Sequence, residues 1–513
     1  MAGVVRRFIV SFLTIVVWIV APSSPGATGA IAAVPSGQDS DAGSLFVQVR
    51  RAVTSGDDER LYDLARTDPW GFREVVNHLG DLVVEQGGRQ AAADAFVSAF
   101  VAGHLAAIHL QATGDHSLAD RLRRILDWSG RDMARRAEVD DLLSRVESPA
   151  PPLPRDLEKA AHVCERLSDQ RCLGLVRAGI GRLHERAGRS AMAILWYERA
   201  VPAFRQAGEM GRLRNALLSS GQLLLSAGQA GDAARSLGAA ATISAEIGDP
   251  GGQAATLVIL GEALGARGSR DRALAALTEA RRIAIDHQLP GVAADAILLR
   301  ATLRDEKGAL PASAEDYLAA ARLAQQAGNL GTVVKALMRG GTILLHAGET
   351  GRAAETIDRG LSAARLGHLD ADVLALLLLG AELDAQLDDF DRAIRRLQEA
   401  LELVRGSGEP AREARVLELF GTTLLEAGRL DAAVGPLEEA RDMAHEIDAT
   451  AVEGRAEGGL GAVTLARGDL PAAREHYSRS AELLEKAGDR FQALHMRRIL
   501  ETIETRPAPP ADS

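Results

Sequence analysis

The chain has 513 residues, 47% of them hydrophobic but only 4% aromatic, with 51 glycines and a formal net charge of −11. That length exceeds what one ordinary core needs, so several domains or a repeat array is expected, and the apolar content excludes a collagenous or linker-like polymer. The negative balance leaves no basic face at domain scale, which excludes a nucleic-acid binder working by phosphate neutralisation and a peripheral domain held on anionic lipid.

Residues 1–33 have the three parts of a secretory signal. Arg6 and Arg7 supply the positive start, residues 8–20 form a thirteen-residue uncharged run, and Ala30-Ile31-Ala32 is an A-x-A cleavage pattern. That run falls short of the about twenty residues needed to span a bilayer. Cleavage near Ala32 and an exported chain, periplasmic or extracellular, are expected; a chain tethered by an uncleaved signal anchor is the other reading. No cysteine follows the run, which counts against a lipoprotein. No later stretch reaches eighteen apolar residues, so no membrane association is expected after cleavage.

Residues 44–146 read as an N-terminal helical region outside any repeat. Asp68-Pro69 is a helix start, with Asp as cap and Pro at the first position. Apolar spacing runs on through Val75, Val76, Leu79, Leu82 and Val83 until Gly87-Gly88 breaks it. Further helices are expected over about 90–110, 118–128 and 133–146. Residues 147–154 form a Pro-rich connector, and 155–170 read as the second helix of a degenerate repeat.

Eight gapless forty-residue units follow, over residues 171–490. With column one at Arg171, column eleven holds Gly181, Gly221, Gly261, Ala301, Gly341, Ala381, Gly421 and Gly461. Column eighteen is Gly in every unit but one, where Asp388 stands. Columns twenty-three and thirty are small, as in Ala233 and Ala240, and column twenty-seven is large, as in Tyr197, Leu237 and Ile357. A mid-helix Gly costs about 1 kcal/mol against Ala, so column eleven implies close approach of a partner helix. Gly at column eighteen suits a left-handed cap where the first helix stops. One hairpin cannot bury both its apolar faces, so each unit needs the next. Residues 491–504 read as one amphipathic helix closing the last face, and 505–513 as a disordered tail.

The order of small, Ala, large and Ala residues at Gly221, Ala233, Leu237 and Ala240 resembles the tetratricopeptide repeat, and the resemblance covers 320 residues. It implies an all-α fold, a right-handed α-solenoid of antiparallel helix pairs. The period of 40 rather than 34 is similar to the longer repeats of kinesin light chains, of the LGN family and of bacterial arrays preceding signalling or CHAT-protease domains. The family's helix-A Trp is mostly replaced by Leu, as at Leu217, Leu337 and Leu417.

The resemblance also implies a protein or peptide partner held on a concave face lined by the first helix of each unit. By column that face carries Asn215, Leu218, Gln222, Val258, Glu262, Asp295, Leu298, Thr302, Lys335, Met338, Thr342, Leu378, Glu382, Arg415, Glu418 and Thr422. The family's clamp for a chain-terminal carboxylate needs Lys and Asn, whereas those columns hold Ala178/Arg182, Leu218/Gln222 and Val258/Glu262. The apolar stripe from Leu218 to Leu378 either seats a hydrophobic segment or packs between adjacent helices.

Chemistry is sparse. His104, His109 and His116 lack the i, i+4 spacing of a metal pair, and no phosphate loop or nucleophile elbow is present. No metal, cofactor or catalytic site is expected. Cys164 and Cys172, the only cysteines, flank a turn expected at Ser168-Asp169, and a disulfide and two buried thiols both remain open. The expected function is an exported, non-enzymatic scaffold that binds a protein or peptide in its groove. The other reading is an accessory or sensor subunit of a separately encoded enzyme, such as a protease, or of a signalling complex.

Overall fold

A computed structural model describes residues 40–88, 92–306, 308 and 310–504. The expected signal at 1–33 and tail at 505–513 lie outside the described residues. Among these, every regular element is an α-helix and none is a strand. No described helix is long and apolar enough to cross a membrane. The chain divides into two compact units, residues 1–269 and 270–513.

The first unit opens with α1 (Ser40–Ser55), α2 (Asp58–Thr67), α3 (Pro69–Gly88), α4 (Ala92–Thr113), α5 (Ser117–Leu126) and α6 (Gly130–Ser144). Their apolar faces close a core of their own around Leu61, Phe72, Val76, Leu105, Leu118 and Ile125. The stretch after α6 ends one residue before Pro154, which becomes the first residue of α7 (Pro154–Arg166) because its fixed φ suits that position and its missing N–H is not needed there. Hairpin helices follow: α8 (Gln170–Arg186), α9 (Ser190–Ala207), α10 (Met210–Ser226), α11 (Ala230–Glu246) and α12 (Pro250–Ala266). A disulfide joins Cys164 to Cys172 across the α7–α8 turn, with Cα atoms 5.6 Å apart.

The second unit contains α13 (Arg270–Asp286), α14 (Pro290–Asp305), α15 (Leu310–Gln326), α16 (Leu330–His346), α17 (Thr350–Leu366), α18 (Asp370–Gln386), α19 (Phe390–Ser407), α20 (Pro410–Glu426), α21 (Leu430–Glu446), α22 (Thr450–Ala466), α23 (Leu470–Lys486) and α24 (Arg490–Glu504). One apolar cluster runs through it from Ala301 to Ala456, so neighbouring hairpins share a core.

Both units keep a strict cadence. A left-handed residue recurs every twenty positions from Ser168 to Gly488. Most are glycines, such as Gly208 and Gly228, but Gln288, His368, Asp388 and Asp448 take the same conformation. The rhythm expected at column eighteen therefore has a twin at column thirty-eight. After several of these turns an Asp or Asn caps the next helix: Asp249 accepts from the N–H of Gly252, and Asn329 from that of Thr332.

Column eleven is where the two helices of a hairpin meet. A β-carbon added at Gly221 would lie 2.7 Å from Leu237 Cγ, and one at Gly341 2.8 Å from Ile357 Cγ1. The column-twenty-seven side chain thus rests directly on the glycine's backbone.

Candidate functional site

The first member of each hairpin in the repeat scheme, helix A, is α8, α10 or α12 in the first unit and α14, α16, α18, α20 or α22 in the second. In the first unit Asn215, Gln222 and Glu262 are exposed, and Leu218 and Val258 are half-buried. Asn215 Oδ1 accepts from Arg214 Nε at 3.0 Å. Leu218 packs on the core around Phe204 and Leu213.

In the second unit Leu298, Met338 and Leu378 repeat at the same column of α14, α16 and α18. Each is half-buried and rests on the continuous core with part of its surface left open. Packing between adjacent helices, one of the two readings of the stripe, thus holds for part of each side chain. Asp295, Lys335 and Glu382 stand beside them, exposed and without a hydrogen-bond or ion-pair partner among the described residues. Burial raises the Asp295 carboxyl above its ordinary value, with no cation near to offset it. Thr302, Thr342 and Thr422 turn their hydroxyls back onto the carbonyls of Leu298, Met338 and Glu418, at 3.2, 2.9 and 2.9 Å. These hydroxyls are engaged within the helix, and that of Thr302 also lies 3.3 Å from the Tyr317 hydroxyl.

The face changes character at α20 and α22. Glu418, expected to line it, is only 4% exposed and is held by ion pairs to Arg415 and, at 3.4 Å, to Arg455. The next helix carries Glu453 and Glu457, both buried. Arg479 reaches both, at 3.2 and 3.3 Å, and His445 and His476 approach them at 3.2 and 2.6 Å. Glu453 and Glu457 escaped notice as site residues, although their columns are mostly apolar in earlier repeats (Val333, Val373, Leu337, Leu377) and the switch to carboxylate was readable there.

The remaining candidates do not converge. His104 pairs with Asp58 at 3.0 Å, whereas buried His109 faces Asp115 at 3.6 Å. Among the described residues no group of three or more His, Cys, Asp or Glu is placed to hold a metal ion. A cavity of ≈ 240 Å³ lined by Trp128, Arg135, Arg166 and neighbours lies beside α6 and α7. It is smaller than the about 300 Å³ at which small-molecule sites begin.

The tetratricopeptide repeat family profile matches residues 372–446, which span α18 to α21. No curated protein matches the chain. Among solved structures, BtubC from P. vanneervenii is 24% identical, covering 46% of this chain and 92% of that one, with a TM-score of 0.35. The apo form of the quorum sensor NprR from B. thuringiensis is 12% identical over 72% and 98% of the two chains, with a TM-score of 0.38. A signal transduction ATPase with numerous domains and a tetratricopeptide repeat sensor, from Pyrococcus horikoshii, is 13% identical over 89% and 74%, with a TM-score of 0.44.

Proposed function

We infer, from a chain that carries tetratricopeptide repeats, that it is an exported scaffold holding a protein or peptide segment against the A-helix face of its hairpins. One observation carries the reading: three successive half-open apolar side chains, Leu298, Met338 and Leu378, stand beside unpartnered Asp295, Lys335 and Glu382. The apolar atoms supply affinity on burial. The unpaired ions supply selectivity, because a segment that covers them without matching charge strands them in low dielectric. Asp295 and Lys335 stand at the same column of α14 and α16 with opposite signs, while Glu382 lies two turns further along α18, which favours a segment carrying the opposite charges at those points. Export is supported by the pattern of residues 1–33 and by the Cys164–Cys172 disulfide, a bond that persists in oxidising compartments.

The test is affinity capture from periplasmic extract with the wild-type chain and a Leu298→Arg/Leu378→Arg variant, read by mass spectrometry. Both sites are half-open, so the arginine stems can lie along the surface and the fold is expected to survive, with unchanged circular dichroism as the check. Partners of the wild type are expected to fall about tenfold, the effect of roughly 1.4 kcal/mol. Equal recovery by both chains overturns the groove reading. N-terminal sequencing of the exported chain is expected to start near Ala33; recovery only from cytosol with Met1 intact overturns export.

A further inference from the structure

Helix α3 crosses the turns that link one hairpin to the next in the first unit. Trp70, Arg73, Asn77 and Asp81 fall at i, i+3, i+7 and i+11, a single stripe of that helix. Trp70 Nε1 donates to the Glu246 carbonyl at 3.4 Å, and Arg73 donates to the Ala207 carbonyl. Asn77 Nδ2 donates to Glu209 Oε1 at 2.6 Å, and Asp81 accepts from Arg171 Nη1 at 2.6 Å. These partners sit at three consecutive turns, those before α12, α10 and α8. A second line of contact comes from α6, whose Arg136 donates to Asp169 at 3.0 Å. Arg73, Asn77, Arg136, Asp169, Arg171 and Glu209 are all buried. Burial alone would raise the Asp81 and Asp169 carboxyls, but the neighbouring arginines outweigh it and hold both below the usual carboxylate range.

Apolar packing does not follow this seam. The core of α1–α5 is closed among its own residues, with Met133 of α6 at its border. The core of the first hairpins begins at Val139 of α6 and, among the described residues, takes no side chain from α1–α5. Helix α6 therefore belongs to both, while the contact between α3 and the turns is polar. That difference decides how the two parts separate. Parting apolar faces exposes their area to water at about 25 cal/mol per Å². Parting ion pairs returns both partners to water and recovers the desolvation they suffered, so a buried pair contributes more to placement than to adhesion.

We propose that residues 40–126 are a releasable cover over the turn edge of the first three hairpins, with α6 as its hinge and the Trp70–Asp81 stripe as its latch. Beneath the cover lies a polar edge, two helix-end carbonyls with Glu209 and the donor Arg171, and beside it Asp169 faces Arg136 of the hinge. In the closed state α3 is its occupant. The disulfide fixes the turn that presents Asp169, whose Oδ1 also caps α8 at the N–H of Cys172, 3.1 Å away. The cover operates whether or not the A-helix face binds a segment.

Hydrogen exchange on the full chain tests this, with α16–α22 as internal reference. Asp81→Ala takes the nearest carboxylate from Arg171, which keeps only Glu209 at 3.4 Å, and from Arg121 of α5 at 2.6 Å, and is expected to speed exchange in α1–α5 about a hundredfold while the reference stays fixed. Arg171→Met and Arg121→Met with Asp81→Leu, which removes both cations together with the carboxylate they share, is expected to restore slow exchange. A peptide of residues 69–88 added to Asp81→Ala is expected to protect residues 205–212 and 245–250. Were Asp81→Ala to fold poorly, the wild type decides alone: α1–α5 must open as a block before α8–α11. Simultaneous opening of α1–α5 and α8–α11, or unchanged exchange in α1–α5 of the variant, overturns the proposal.

Discussion

A β-carbon at Gly421 would stand 2.5 Å from Leu437 Cγ, closer than any relaxed contact. By helix propensity alone, Gly→Ala stabilises by about 1 kcal/mol; overpacking of a filled core costs about 1–3 kcal/mol and wins here. Gly421→Ala is expected to lower stability by about 1 kcal/mol, the residual of those two effects, measured as a shift in denaturant midpoint. Gly238 in α11 supplies the control, since a β-carbon there meets nothing within 4 Å. Gly238→Ala is expected to raise the midpoint, by about 0.5–1 kcal/mol. A Gly421→Ala chain as stable as the wild type would mean that column eleven is small for some reason other than close approach.

At the scale of elements, the two repeats with Ala at column eleven, Ala301 and Ala381, have buried ions between their helices. Arg300 of α14 grips Asp316 of α15 through two bonds of 3.0 and 2.7 Å, and Arg304 adds a third at 2.6 Å. Two repeats later the charges are exchanged: Asp384 of α18 faces Arg396 of α19 at 2.6 Å. Asp316→Ala leaves Arg300 buried and unpaired, and is expected to cost about 3–5 kcal/mol by thermal or urea unfolding. Arg300→Met with Asp316→Leu is expected to be neutral or stabilising, because the desolvation of both ions disappears with them. Equal losses in the single and double variants would refute that account.

Hairpins of this kind were legible in the sequence because each column has one steric job, repeated. Column eleven pointed to close approach, and Gly221 against Leu237 is that contact. The second turn of each period was harder to see, since Gln288, His368 and Asp448 hold left-handed positions that glycine marks elsewhere. Glu418 shows the limit of columns at the candidate site: its column assigned it to the expected concave face, but Arg415 and Arg455 draw it under. The latch was invisible, because it joins residues 70–81 to residues 171–246 through tertiary approach with no periodicity to betray it.

For the whole molecule, a repeat array is stabilised by contacts between neighbours rather than by one global core. Removing residues 331–370 takes out one A helix and one B helix, α16 and α17, and joins Leu330 to Ala371, so that Leu330 stands where Asp370 began α18 and the turn before it is kept. Such a chain is expected to stay folded, with circular dichroism per residue unchanged and cooperative melting retained. Removing 331–350 instead puts a B helix where an A helix belongs and sets Ile357 opposite columns shaped for other side chains. Loss of cooperative melting is expected there, and two equally well-folded deletions would show that the A and B faces are interchangeable.

The twenty-residue cadence of left-handed turns has a further consequence for recognition. The proposed binding face has no continuous length: it grows or shrinks only by whole hairpins, each bringing one more trio such as Lys335, Met338 and Thr342. Selection by segment length is then quantised. On that proposal a bound chain reaching past Leu298 gains nothing until it reaches Met338, and affinity climbs in steps.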